Sequence, residues 1–89
     1  MKNLEIIQAQ IAQQKARIEY IKELLVPNMK ALTLSHQKAV DQVLKEKFFD
    51  AADHFKDANS HSMECMTMLA QIAELNEQVQ QLEFRLKNQ

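Results

Sequence analysis

The chain has 89 residues, a formal net charge of −1, one proline, one cysteine and no glycine. Phosphate-binding loops depend on glycine, so nucleotide-binding motifs of that kind are excluded, and a single cysteine excludes an intramolecular disulfide. The nearly balanced charge gives no reason to expect binding to nucleic acid or to an anionic membrane. We therefore predict a single all-α domain, 1-89, that is located in the cytoplasm and whose helices carry its function.

The first predicted helix, at about 2-25, has a heptad seam, in which apolar residues recur at alternating steps of three and four. This spacing is typical of a helix that packs lengthwise against another helix. Gln14 is the one polar member of the seam, and such a residue fixes the register of a helix pair at a cost in stability. Because a proline disfavours helical angles in the residue before it, Pro27 predicts that the helix ends near Leu25. The seam comprises Leu4, Ile7, Ile11, Gln14, Ile18, Ile21 and Leu25.

Two further helices are predicted at about 28-58 and 62-88, separated by the weak helix formers at 59-62. The second helix has an apolar stripe that is wide enough to face two neighbours, and Phe48 in this stripe is expected to be buried. The third helix has a heptad seam like that of the first. The stripe comprises Met29, Leu32, His36, Val40, Val43, Leu44, Phe48, Ala51, Phe55 and Ala58, and the seam of the third helix comprises Cys65, Met68, Ile72, Leu75, Val79, Leu82 and Leu86.

Three helices of similar length with short connections predict a three-helix antiparallel bundle or coiled coil. The alternative is a dimeric helical hairpin with one very long second helix, in which residues 28-88 are continuous. In both arrangements the apolar faces exceed what a chain of 89 residues comfortably buries within one copy. We therefore predict a homodimer or a higher homo-oligomer.

His54, His61 and Cys65 are the candidate metal ligands, because imidazole and thiolate groups bind zinc and copper. Cys65 follows His61 by four residues and so shares its helical face. The same spacing is typical of a polar interruption in a coiled-coil stripe, and neither a Cys-x-x-Cys motif nor a carboxylate-rich pattern accompanies it. We therefore interpret the three residues as structural or as part of an interface, and we predict no metal and no cofactor.

Exposed aromatic and methionine side chains are the candidates for binding a protein partner. Methionine adapts its shape to a partner, and aromatic side chains among polar neighbours are typical of interface hot spots. The region from Asp50 to Glu83 is also acidic, with seven carboxylates and one lysine, and could complement a basic partner surface. The predicted partner-binding residues are Phe49, Met63, Met66, Glu77 and Phe84.

No enzymatic activity is predicted. Three aspartates and a histidine lie close together between Asp50 and Asp57, but a small helical bundle offers no obvious cleft for acid-base chemistry. The pattern instead predicts a non-enzymatic protein-interaction module, a small self-associating adaptor or inhibitor that binds a larger protein through its helix faces. The alternative is a helical bundle that binds a small ligand or a metal through His54, His61, Cys65 and the methionines.

Overall fold

Residues 2–88 are described by a computed structural model, and within this range they form two α-helices joined by a short turn. α1 spans Lys2–Leu44 and α2 spans Phe48–Lys87. The all-α class is confirmed, whereas the predicted three-helix bundle is wrong. The alternative hairpin has the observed number of helices, but it places the break near Pro27 instead of at residues 45–47.

α1 continues through Pro27, so the predicted end near Leu25 is wrong. Proline has no N–H and removes one hydrogen bond from a helix interior. The Asn28 side-chain amide donates to the Leu24 carbonyl at 3.0 Å, which adds a hydrogen bond in the same helical turn. The Pro27 side chain is exposed while Leu25 is buried, so packing on the other face holds the helix together across the proline.

The weak helix formers at 59-62 lie inside α2, so the predicted boundary between a second and a third helix is also wrong. Two of these residues, His61 and Ser62, are half-buried, and Ala58 just before them is fully buried. Tertiary packing therefore overrides differences in helix propensity, which amount to about 0.7 kcal/mol per residue at most for such residues.

The break between the helices is a Schellman motif, the hydrogen-bonded turn that commonly ends an α-helix. Glu46 has a φ of 59°, in the left-handed region that glycine usually occupies at this position. The Glu46 N–H donates to the Val43 carbonyl at 3.0 Å, and the Lys47 N–H donates to the Gln42 carbonyl at 2.8 Å. Because these bonds satisfy carbonyls at the end of α1, a chain without glycine can still turn here.

Glu46→Gly should raise the free energy of unfolding by about 1 kcal/mol, because the left-handed conformation costs a residue with a Cβ about that much. Thermal unfolding followed by circular dichroism measures the change. Gln37→Gly is the control, since Gln37 is exposed inside α1 and glycine there should lower stability by about 0.5–1 kcal/mol. Equal losses in the two variants would contradict the left-handed conformation of Glu46.

The helices contribute to two compact units, each of which takes one stretch of each helix. The terminal unit consists of the residues up to Glu23 and those from Met68 onward, and the turn unit consists of Leu24–Thr67. The two units differ in the size and polarity of the side chains between their helices.

The core of the terminal unit confirms the apolar seams predicted for the two ends of the chain. Four buried isoleucines of α1 pack with Leu75 and Val79 of α2, and four more residues of α2 are partly buried against them. Gln14 occupies the polar position, and its Oε1 is buried with no hydrogen-bond partner among the described residues. Lys15 and Glu83 form an exposed ion pair at 3.3 Å. The isoleucines are Ile7, Ile11, Ile18 and Ile21, and the partly buried residues are Met68, Ile72, Leu82 and Leu86.

The core of the turn unit is built from small side chains. Ala39, Ala51 and Ala58 are at most 3% exposed, and Leu25 and Cys65 complete the buried apolar set that the structure describes in this unit. An alanine contributes only one methyl group to a core, worth about 0.8 kcal/mol when buried. The turn unit therefore gains much less from apolar burial than the terminal unit, where isoleucine and leucine fill the same kind of position.

Much of the apolar stripe predicted for 28-58 faces solvent, and Phe48, expected to be buried, is 64% exposed. For the α1 part of the stripe, the expectation is wrong because it assumed that a new helix starts after Pro27. A helix that continues through the proline keeps the heptad spacing of its first half, and this spacing turns Asn28, Leu32 and Ser35 inward. Phe48 instead begins α2, whose inward positions are Ala51, His54 and Ala58.

Candidate functional site

The positions between the helices of the turn unit are unusually polar; we call this line the turn-unit seam. Gln42 of α1 and His54 and His61 of α2 are half-buried in it. Asn28 and Ser35 of α1 are also half-buried there, at seam positions of the kind that isoleucines occupy in the terminal unit. The Gln42 Oε1 and His61 Nδ1 atoms are buried, and no hydrogen-bond partner for either is present among residues 2–88. A buried polar atom without a partner costs about 1–3 kcal/mol, so this seam holds the unit together weakly.

One side of the turn unit is apolar and uncharged, and we call it the apolar face. The rings of His36 in α1 and Phe55 in α2 lie 6.1 Å apart, which places these parts of the two helices on the same side of the seam. From this pair the face continues along each helix at steps of three and four residues, with no Asp, Glu, Lys or Arg at any position. Its large members, each 45% to 66% exposed, are Val26, Met29, Val40, Val43, Phe48, Phe55 and Met66. Its smaller or polar members are Thr33, His36, Ala52, Asn59 and Ser62.

Carboxylates occupy the opposite side of the turn-unit seam. Asp50, Asp57 and Glu64 recur every seven residues, and each directly precedes a buried residue of α2. All three are exposed. Residues just before a seam position and residues four after it lie on opposite flanks of the seam. In the turn unit α2 is therefore amphipathic across the seam, with an apolar side and an acidic side, whereas α1 has Leu24 and Lys38 directly before its own buried residues.

Three of the predicted partner-binding residues lie in the turn unit, and all three are exposed. Phe49 is 92% exposed and Met63 is 69% exposed. They are fourteen residues apart in one helix, about four turns, so they share one outward line, with Lys56 midway between them. Met66 is also exposed, but it belongs to the apolar face.

The other two predicted partner-binding residues, Glu77 and Phe84, lie in the terminal unit. Both are exposed, and they are seven residues apart on the outward side of α2. The Phe84 neighbours at one helical turn are polar, and its carbonyl accepts a hydrogen bond of 2.8 Å from the Asn88 side-chain amide. The prediction that Phe49 and Phe84 lie outside the core is confirmed.

Sequence reasoning did not identify the apolar face as a surface, although six of its members were part of the predicted stripe: Met29, His36, Val40, Val43, Phe48 and Phe55. The available signal was the heptad spacing, which continues from Leu25 through Asn28, Leu32 and Ser35 without a shift. Extending that series past Pro27 would have assigned Val26 and its neighbours to the outside of the helix.

The candidate metal ligands are not gathered into a site. His54 and His61 are half-buried in the turn-unit seam, and Cys65 is a buried free thiol. Seven residues of helix separate the two histidines, a rise of about 10 Å. Within the part of the chain that the structure describes, no group of three His, Cys, Asp or Glu side chains could hold a metal ion.

The described surface of the turn unit includes two concavities. One, of about 400 Å³, follows the outer side of α1 and begins beside Val26 and Met29 of the apolar face. The other, of about 310 Å³, gathers Asp50, Asp53 and His54, and so brings together most of the acid-base cluster noted in the sequence. The first is the more suitable for an apolar partner, because Val26, Met29 and Leu34 line it.

Neither helix contains, within residues 2–88, a stretch long and apolar enough to cross a membrane. The chain matches no protein-family model, and neither a curated protein nor a solved structure is similar to it. The function is therefore inferred from the exposed residues of the two units.

Proposed function

We propose that the protein is a non-enzymatic, self-associating interaction module, an adaptor or inhibitor that binds a larger protein through the outward side of α2. The observation that carries this proposal is the exposure of Phe49 and Met63 on one line of the helix. A large aromatic ring that lies 92% in solvent adds nothing to the chain's own core. Such side chains supply much of the binding energy at protein interfaces.

The charges around this line favour a basic partner surface, because three aspartates outnumber Lys56. Asp50, Asp53 and Asp57 are exposed on the same stretch of α2. Complementary charge mainly accelerates the encounter of two proteins, while buried aromatic and methionine side chains provide affinity. We propose the cytoplasm as the location, where the single cysteine of the chain, a free thiol, suits the reducing conditions.

Affinity capture from cells of the source organism tests the proposal. The double variant Phe49→Ala/Met63→Ala should lose the partner that the wild-type chain captures, with affinity reduced about 30-fold or more if either residue is a hot spot. Tyr20→Ala is the control, because Tyr20 is also a large exposed side chain but lies in the terminal unit. Capture of the same partner at unchanged affinity by the double variant would rule out this side of α2.

A further inference from the structure

The turn unit buries mainly small residues and exposes most of its large apolar ones. Its buried set consists of alanines, one leucine and one cysteine, while seven large apolar side chains of the apolar face remain about half exposed. The turn-unit seam also contains buried polar atoms without partners, which cost free energy, so the unit gains little stability from its own seam. Covering the apolar face would provide the core that this half of each helix lacks.

We propose that a second copy of this chain covers the apolar face, so that two turn units form a four-helix core around a two-fold axis. The inference rests on the self-association included in the proposed function, and it names the face and the occupant. It does not involve Phe49 or Met63, which lie on the outward line of α2 and remain free for a larger protein.

The size of the apolar face fits a dimer interface. Seven half-exposed side chains of this size offer on the order of 700 Å² of apolar surface, close to the roughly 800 Å² that each partner contributes to a standard interface. The largest apolar patch on a typical monomer is about 300–600 Å². Summed over its seven large side chains, which Thr33, Asn59 and Ser62 interrupt, the exposed surface of the apolar face is therefore at the upper end of what a monomer leaves in water.

The lack of charge on the apolar face favours a second copy over an oppositely charged partner. A two-fold interface brings the same patch of both subunits together, so any charge near the axis would face its own copy. This face contains no Asp, Glu, Lys or Arg, while the carboxylates of Asp50, Asp57 and Glu64 lie on the other side of the seam and stay in water. Two copies can therefore meet without like-charge repulsion or buried charge.

One polar group of the apolar face, the Thr33 hydroxyl, can be covered at small cost, whereas the side chains of Asn59 and Ser62 need hydrogen-bond partners from the second copy. The Thr33 hydroxyl already donates to the Met29 carbonyl at 3.1 Å, so it needs no partner from the second copy. His36 already packs against Phe55. With two more helices on this side, each helix of the turn unit would have two neighbours, which is the environment that a wide apolar stripe requires.

Light scattering on the purified full-length chain tests the inference. The wild type at 100 μM should have twice the 10.4 kDa mass of one chain, and its melting temperature should rise with protein concentration. Phe55→Lys should give the mass of one chain, because two added charges would be buried against each other. Phe49→Lys is the matched control, since it places the same charge on the outward line of α2, and it should stay dimeric.

A milder variant separates loss of the interface from loss of folding. Phe55→Ala should keep the helical circular dichroism signal and weaken association about 30-fold or more. A wild-type mass near 10.4 kDa at 100 μM would overturn the inference together with the self-association in the proposed function. A dimer that is disrupted equally by Phe49→Lys and Phe55→Lys, or by neither, would overturn the inference alone. Partner capture by the Phe49→Ala/Met63→Ala variant tests the outward side of α2, and its result is independent of the light-scattering results.

Discussion

Ile18→Ala should lower the free energy of unfolding by about 2–5 kcal/mol, the largest single effect that we expect in this protein. Ile18 is 5% exposed and belongs to the buried cluster of the terminal unit. The truncation removes apolar contacts and leaves a cavity between two helices that can close only in part. For a chain of this size the loss corresponds to a fall of about 10 °C or more in melting temperature.

Ile6→Ala is the matched control for this loss. It removes the same atoms from the same helix, but Ile6 is 54% exposed. Its melting temperature should stay within about 3 °C of the wild-type value, since exposed substitutions change stability by about 0.5 kcal/mol. Thermal and urea unfolding followed by circular dichroism provide both values. Similar losses in the two variants would show that Ile18 does not lie in a packed core.

Ala58→Leu should destabilise the protein by about 1–3 kcal/mol, although leucine is a good helix former and is more apolar than alanine. Ala58 has no exposed surface and lies between the helices of the turn unit. A larger side chain there must move the helices apart or adopt a strained rotamer. The same unfolding experiments measure the change.

Ala70→Leu, at an exposed position of α2, is the control and should leave stability nearly unchanged. A loss of stability in Ala58→Leu but not in Ala70→Leu would show that the turn-unit seam has no room for a side chain larger than alanine at position 58. If Ala58→Leu is as stable as the wild type, or more stable, the helices of the turn unit are not packed closely at this position.

The candidate surfaces were only partly predictable from the sequence. Exposure of Phe84 followed from helical spacing alone, because it lies two positions from Leu82 and from Leu86 of an apolar seam. Exposure of Phe49 was inferred from the burial of Phe48, which the structure contradicts. Exposure of Phe48 and Val40 did not follow, because it depends on which of two overlapping series faces the other helix. That choice depends on whether α1 stops at Pro27. The tendency of proline to disfavour helical angles in the preceding residue predicts that it does, and this prediction is wrong.

The sequence by itself determined the helical class and the apolar seams at the two ends of the chain. A chain without glycine, with isoleucine and leucine at steps of three and four, has few alternatives to helices packed along one another. Only the tertiary structure decided where the helices end and which side of the turn unit is apolar. Packing on either side of Pro27 outweighs the single hydrogen bond that the proline removes, and the hydrogen bonds of the Schellman motif hold Glu46 in a conformation that its own side chain disfavours. The helices turn at residues 45–47, where the chain has no glycine to mark the break, and this position of the turn leaves the large side chains of the turn unit outside its seam.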